Sequence, residues 1–508
     1  MFFDGARVAF AQGMRVYSLY RKNLDLLPLE IEISLVPGLP AFHITGLPDA
    51  VIKESLLRLK SALRHQGFTL PTHEQVIFHL RPSYERKTSQ GLDLALAAAY
   101  LFKTGQLVTP EPAGDGRVFL YGELSLEGAI KMPDDLDLFD DLRTNDVLLT
   151  GPGQSLLPRA QSANLRALGE LEWREGDFLD DRGPGGDRDA GESLGLASGL
   201  SSDVESFCKT SAWALTVAAT GEHNIFMAGP GGSGKTSFAR ALHSVLRAPT
   251  DDEKRKIIKI GRFLARDRDE KIGARPFVAP HHGSSDIALL GGGVPVNPGE
   301  ITRAHHGVLL LDEFLEFHPH VVESLREPIE RHEITLLRKG VKTTLPANFL
   351  LVATTNLCPC GEFIPNQRIS CSLSKARCRI RFHRISMPLL DRFEVVTFTH
   401  TWSHNRNVTL AEIRERVRAA QDFARQSRGQ ALMNSRLGLK ELEPQISSFA
   451  RRNLMPEGLN SQRRRQSLFR VARSIADLAA SDAVKPEHLE QAVDLTYRPF
   501  QDFKRAYN

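Results

Sequence analysis

Five cysteines in 508 residues are too few for a disulfide framework, and four of them, Cys358, Cys360, Cys371 and Cys378, fall in one short window. Such a cluster in a reducing compartment points to metal binding rather than to disulfides. Cys208 stands apart and reads as a small buried apolar residue. Charge of one sign is not in surplus: 65 basic against 61 acidic residues leave a net +4. That balance neither demands nor excludes nucleic acid, because a local basic stripe matters more than the total. Long hydrophobic runs are missing too. No stretch approaches the roughly 18 apolar residues that cross a bilayer, so no membrane partner is expected. The opening MFFDGARVAF lacks a basic segment followed by an apolar run and a cleavage site, so no signal peptide is read and a cytoplasmic location is expected. What remains is an ordinary globular composition, 41% hydrophobic and 25% charged, on a chain long enough for two or three domains.

The pattern divides the chain into a multidomain α/β protein. Residues 1–175 mix alternating and helical segments. Leu29–Leu35, Gln75–Leu80, Val118–Leu120 and Val147–Leu149 read as strands, Asp49–Gln66 as a helix and Leu92–Phe102 as a buried one. Residues 176–200 are rich in Gly, Asp and Ser and read as a flexible linker. Residues 201–400 alternate strands and helices. Residues 401–508 are mostly helical, with helices expected at Thr409–Gln426, Glu443–Arg451, Ser461–Ala480 and Pro486–Leu495.

The apolar strand Ile225–Ala228 runs into GPGGSGKT (Gly229, Pro230, Gly231, Gly232, Ser233, Gly234, Lys235, Thr236) and then a helix. This is a phosphate-binding loop in its usual context. Glycines let several N–H groups converge on a phosphate, and the helix N-terminus adds its dipole. Lys235 would reach the outer phosphates of ATP and Thr236 would offer a hydroxyl to Mg²⁺. Gly307–Glu313 (GVLLLDE) is a second apolar strand, ending in Asp312, expected to hold Mg²⁺, and Glu313, expected to act as general base. Phe349–Asn356 (FLLVATTN) is a third, with Asn356 placed to orient water. ATP and Mg²⁺ are the expected cofactors.

Other candidates carry open alternatives. Arg392 in PLLDRF fits an arginine finger reaching a neighbouring subunit's nucleotide, or else a salt bridge with Asp391 or Glu394. Arg463 heads a helix and could sense the γ-phosphate, with Arg464 and Arg465 beside it. A finger supplied in trans requires a ring, and a homo-hexamer is expected. Leu289–Thr302 is a glycine-rich insertion suited to a pore-facing loop, and Glu333–Thr344 reads as a hairpin with Arg338, Lys339 and Lys342 near its tip. Those cations suit phosphate contact on DNA, or simply a solvated turn. The pairs His281–His282 and His305–His306 are read as loop packing or pore contacts, not as metal sites. The cysteines, spaced C-x-C-x₁₀-C-x₆-C, would close a structural Zn²⁺ site, or remain free thiols in a loop.

The string RPFVAPHHGSSDIALLGGGVPVNPGEITRAHHGVLLLDEFLEF (Arg275–Phe317) is more particular. It resembles the magnesium-chelatase-like AAA+ family that includes the ComM and YifB proteins. The likeness continues through CPCG (Cys358–Gly361), RISMPLLDRF (Arg384–Phe393) and Arg470–Val493, and reaches back to Val36–Ser55. The resemblance implies an AAA+ P-loop core followed by a helical lid domain, with Arg392 as the finger. It implies Arg463 as second sensor, although Gln462 departs from the family's Ser-Ala-Arg triplet. It also implies a hexameric DNA motor promoting branch migration as incoming single strands recombine in natural transformation. Residues 1–175 resemble the Lon-type, S5-like α/β fold. A protease reading would use Ser89, but the expected lysine position holds Asp137, which leaves the serine without a base. The domain is therefore read as non-proteolytic. The remaining alternative is a chelatase subunit that inserts a metal into a porphyrin, against which the fused N-terminal domain and the CPCG segment argue.

Overall fold

The computed structural model describes residues 15–22, 24–84, 87–108, 116–136, 139–143, 145–153, 162–171, 206–264, 273–293, 296–338, 341–361, 363, 373–374, 377, 387–399, 408–446 and 461–507. They belong to two compact units, Met1–Glu192 and Ser193–Asn508. The expected linker at 176–200 lies outside the described residues.

In the first unit, β1 (Val16–Lys22), β2 (Asp25–Pro37), β3 (Ala41–Thr45), helix α1 (Ala50–His65), β4 (Glu74–Arg81), helix α2 (Leu92–Lys103) and β5 (Val118–Leu120) follow in order. A short antiparallel pair, β6 (Glu123–Leu124) and β7 (Ile130–Lys131), precedes β8 (Val147–Thr150) and β9 (Ser162–Asn164). Seven of these strands form one mixed sheet in the order β3-β4-β2-β1-β5-β8-β9. Helix α2 (LDLALAAAYLFK) is apolar almost all round, and Leu92–Phe102 are all buried, as such a helix must be. Its one acid, Asp93, is fully buried and held by Arg58 Nε at 2.7 Å. Asp49 caps α1 by accepting from Ile52 N at 2.9 Å.

The second unit runs β10 (Ser206–Phe207), α3 (Lys209–Gly221), β11 (Ile225–Ala228), α4 (Lys235–Val245), α5 (Asp251–Leu264), β12 (Phe277–Val278) and α6 (Asp286–Leu290). A small β13 (Gly291–Gly292) and β14 (Asn297–Pro298) pair precedes α7 (Glu300–Arg303) and β15 (Val308–Leu311). Then come α8 (Pro319–Ser324), α9 (Arg326–Arg331), β16 (Glu333–Arg338), β17 (Val341–Pro346), β18 (Leu350–Thr355), β19 (Val395–Phe398) and β20 (Val408–Thr409). The parallel sheet is ordered β12-β15-β18-β11-β19. β11, β15 and β18 are buried along their whole length, which is why their sequences are continuous apolar runs rather than alternating ones. β16 and β17 make the expected hairpin.

The C-terminal stretch is helical at Leu410–Arg428, Gln462–Leu478, Pro486–Thr496 and Arg498–Tyr507. Thr409 and Glu412 close a capping box, and Gly429 ends that helix in the left-handed region at φ 59°. Of the helix expected at Glu443–Arg451, residues 447–451 lie outside the described residues, and the first four are not α-helical. Leu439–Leu442 is a single helical turn, Glu443–Gln445 is a 3₁₀ turn, and Ile446 is extended, bridging to Val484. The buried Ile446 joins the core of the helical layer, and that burial overrides local helix preference.

One ion-pair node ties three segments of this unit. Arg275 Nη1 donates to His306 O at 2.7 Å, its Nε to Arg247 O at 2.7 Å, and its Nη2 to Glu253 at 3.1 Å. Burial pushes the Glu253 carboxyl up, but Arg247 and Arg275 overcome it and hold it at about 2. A carboxylate depressed by folding contributes stability above its unfolded pKa and loses it as pH falls toward the folded value. We expect Glu253→Gln to cost about 3 kcal/mol in denaturant unfolding at neutral pH. The gap from wild type should hold down to about pH 5.5 and narrow below about pH 4.5; a gap insensitive to pH would mean the charge is not what Glu253 contributes.

Candidate nucleotide site

The carboxyl ends of β11, β15 and β18 meet at one edge of the sheet. Register pairs Ala228 with Thr355 and Leu311 with Ala353, so the residues just beyond each strand converge. After β11 the chain turns through Gly229–Gly234. Gly232 and Gly234 lie at φ 73° and 78°, the left-handed region that favours glycine. Gly229 is required for a different reason: a Cβ there would lie 1.9 Å from Thr399 Oγ1 and 2.7 Å from Thr399 O. Ser233 Oγ bonds to Pro230 O at 2.9 Å and to Thr399 Oγ1 at 2.7 Å, which fixes the loop against the end of β19.

Lys235 heads α4 and folds its Nζ back to Pro230 O (2.7 Å), Gly229 O (3.1 Å) and Asn356 Oδ1 (2.9 Å). Burial lowers its pKa, and Asp312 and Glu313 counteract that shift. Thr236 Oγ1 donates to Asp312 Oδ2 at 2.9 Å, and Thr354 donates to Asp312 Oδ1. Thr236 and Asp312 therefore present the hard oxygen ligands that suit Mg²⁺. A Cβ at Gly231 or Gly232 would meet nothing within 4 Å, so the front of the loop is open for phosphates. Glu313 follows at φ 54°, its side chain 61% exposed and 3.7 Å from His282 Nδ1. That non-glycine residue in the left-handed region turns the carboxylate out of the strand's line.

Arg392 and Arg463 form a second cluster. Arg392 donates to Pro388 O and, at 2.6 Å, to Glu330 Oε1; Arg463 donates to the same Glu330 oxygen. The simple alternative for Arg392, a pair with Asp391 or Glu394, does not form, because both acids are otherwise engaged. Asp391 receives Arg464 Nε at 2.6 Å, while Glu394 receives His223 at 2.8 Å and Arg470 at 2.8 Å. Burial alone would push Glu394 up, and His223 and Arg470 pull it below the usual carboxylate range.

The three consecutive arginines thus have three fates. Arg463 joins Arg392. Arg464 is buried, donates to Leu390 O and Phe393 O, and stacks 3.8 Å from the Phe500 ring, its pKa lowered by burial to about 10. Arg465 pairs with Glu443 at 2.9 Å. Helical periodicity alone does not say which of three neighbours faces inward.

Cys358 and Cys360 bring their sulfurs to 3.0 Å, and Phe363 N donates to Cys358 Sγ at 3.2 Å. Cys371 and Cys378 lie outside the described residues, as do Lys339 and Asp137. Among the described residues no group of three metal-capable side chains occurs. Lys342 is exposed near the hairpin tip, opposite Leu337. His305 is buried and accepts from Asn348 N at 3.0 Å through Nδ1, its pKa lowered to about 3 chiefly by burial. It is a packing residue. Thr354, Thr399 and Glu330 were not foreseen; each acts across a long sequence separation.

Strand order, loop and strand-end residues define a P-loop ATPase of the AAA+ type. Comparison with known proteins narrows this. The family described as magnesium chelatase, subunit ChlI, matches residues 203–407; its C-terminal region matches 408–498, and a further ChlI segment matches 31–136. YifB of Escherichia coli is 30% identical over 92% of this chain and 93% of its own. The competence protein ComM of Haemophilus influenzae is 30% identical over 94% and 96%. A probable DNA helicase, MCM9 of Arabidopsis thaliana, is 24% identical over 35% of this chain and 22% of its own length. The chain belongs to the magnesium-chelatase-like AAA+ family that includes ComM and YifB.

Replacing Gly229 with Ala forces a methyl into Thr399. We expect nucleotide affinity to fall at least about tenfold and stability to drop by about 1–3 kcal/mol, read by fluorescent-nucleotide titration and thermal unfolding. Unchanged affinity would show that the loop does not need this close approach.

Proposed function

We propose that this chain is a subunit of an ATP-driven homo-hexameric motor that moves on DNA and promotes branch migration, in the manner of a ComM-like protein acting in natural transformation. The convergence of Lys235, Thr236, Asp312 and Asn356 at one sheet edge carries the ATPase part of this reading. The DNA part draws on the competence name of ComM, the helicase name of the partial MCM9 match and the cations of the β16–β17 hairpin. No helix among the described residues is long and apolar enough to cross a membrane.

Thr236 and Asp312 would hold Mg²⁺, which would supply charge neutralisation on the phosphates. Lys235 exchanges its loop carbonyls for phosphate oxygens when ATP binds. Asn356, released from Lys235, orients water; as the water oxygen bonds to the γ-phosphorus, the bond from that phosphorus to the β–γ bridging oxygen breaks, ADP leaves, and Glu313 accepts the water's proton. Arg392 of a neighbouring subunit offsets charge in the transition state, with Arg463 beside it. A structural zinc on Cys358, Cys360, Cys371 and Cys378 belongs to the same proposal, and metal analysis should find about one zinc per chain.

Ser89 gives the protease alternative no support: it is buried and donates to Leu19 O at 2.8 Å. Lys87, also buried, donates to Gly46 O and Pro82 O. A serine so engaged has no base to activate it.

ATP turnover should rise with single-stranded or four-way-junction DNA and vanish in Lys235→Ala. Glu313→Gln should slow turnover roughly a hundredfold or more while still binding ATP. Turnover indifferent to every DNA form would overturn the motor reading, and normal turnover in Glu313→Gln would overturn the general-base assignment.

A further inference from the structure

Glu330 lies in the last turn of the short helix α9 and accepts from both Arg392 and Arg463 through one oxygen, Oε1. The two arginines come from separate places: the turn before β19 and the head of the C-terminal helix Gln462–Leu478. Arg392 is 8% exposed, and its buried Nε has no hydrogen-bond partner among the described residues. Together with Arg436 and Arg470 they line a cavity of about 440 Å³ in this unit. The other acids on its wall face other bases: Glu222 lies 3.5 Å from Arg247 and 3.7 Å from Arg275, Asp391 holds Arg464, and Glu394 holds His223 and Arg470. Glu330 is thus the acid that meets both arginines. Two guanidiniums converging on one oxygen make an arrangement that a phosphate, with more charge and more acceptor oxygens, satisfies better than a carboxylate.

We propose that Glu330 is an internal competitor for the arginine pair: it holds Arg392 and Arg463 together in the isolated chain and yields them to the γ-phosphate of a neighbour's ATP. This rests on the reading of Arg392 as a finger. The device couples hydrolysis to assembly. Without a neighbour's nucleotide the pair stays held together on Glu330. With one, the exchange replaces a half-exposed carboxylate contact, 42% exposed on both Glu330 and Arg463, by contact to a phosphate. Arg392 keeps its bond to Pro388 O on the far side of its guanidinium, so only the Glu330 bond has to be exchanged.

The test is ATP turnover per subunit as a function of protein concentration in the full-length chain. In Glu330→Gln, which keeps shape but removes the competing charge, the concentration giving half-maximal turnover should fall roughly three- to tenfold. The maximal rate should change less than about twofold. Glu330→Asp, which restores the charge, should return the curve toward wild type. An unchanged curve, a need for more protein or a loss of maximal rate in Glu330→Gln would overturn the proposal. Arg392→Ala separates the two readings. If it retains turnover, the finger assignment fails whatever Glu330 does. If it is inactive alone and with Glu330→Gln, the finger stands and the Glu330 curve decides the competitor.

Discussion

Lys235 is held by Asn356 across the ends of two parallel strands, Nζ to Oδ1 at 2.9 Å, and the rest of the nucleotide site depends on that closure. β11 and β18 are buried along their whole length, so neither can slip without moving a full set of apolar side chains. A fixed register puts the loop beside Asn356 and brings Asp312, at the end of β15, under Thr236. The Thr399 contact closes the loop from the other side and leaves glycine as the residue that fits at 229. Chemistry is confined to the strand ends because the strands themselves are fully spent on the core.

Charge is managed in the same spirit on the second cluster. A buried ion pair gains little over apolar packing, but a buried charge left alone is costly. Each inner acid here has its base: Asp391 with Arg464, Glu394 with His223 and Arg470, Asp477 with Arg473 and Arg428. These pairs fasten the C-terminal helices to the turn that carries Arg392. Glu330, facing two arginines from outside, is the point where that matching is incomplete and therefore open to exchange.

Three strands of the parallel sheet, the loop, the hairpin and the helices at Ala50–His65, Leu92–Lys103, Lys235–Val245, Leu410–Arg428, Gln462–Leu478 and Pro486–Thr496 were legible in the sequence, because apolar runs, glycine spacing and caps are local signals. Asp49, Thr409 and Gly429 mark helix ends through their own side chains or backbone freedom. The site's support was not legible. Arg464 reaches Asp391 across 73 residues, and Arg392 reaches Glu330 across 62. No local pattern separates Arg464 from Arg463, since what differs is the surface each meets. The start of the helix expected at Glu443–Arg451 departs from the reading for a related reason: Ile446 is drawn extended into contact with Val484, a distant partner that a helical window does not contain.

In the proposed ring each nucleotide site is completed by a neighbour's Arg392, and mixing two inactive variants tests this most directly. Lys235→Ala cannot use its own loop but still carries the arginine; Arg392→Ala keeps the loop and lacks the arginine. Each alone should be inactive, and a one-to-one mixture should recover a substantial fraction of turnover as mixed rings form. No recovery at any ratio, with both variants folded and assembling, would contradict a site shared between subunits.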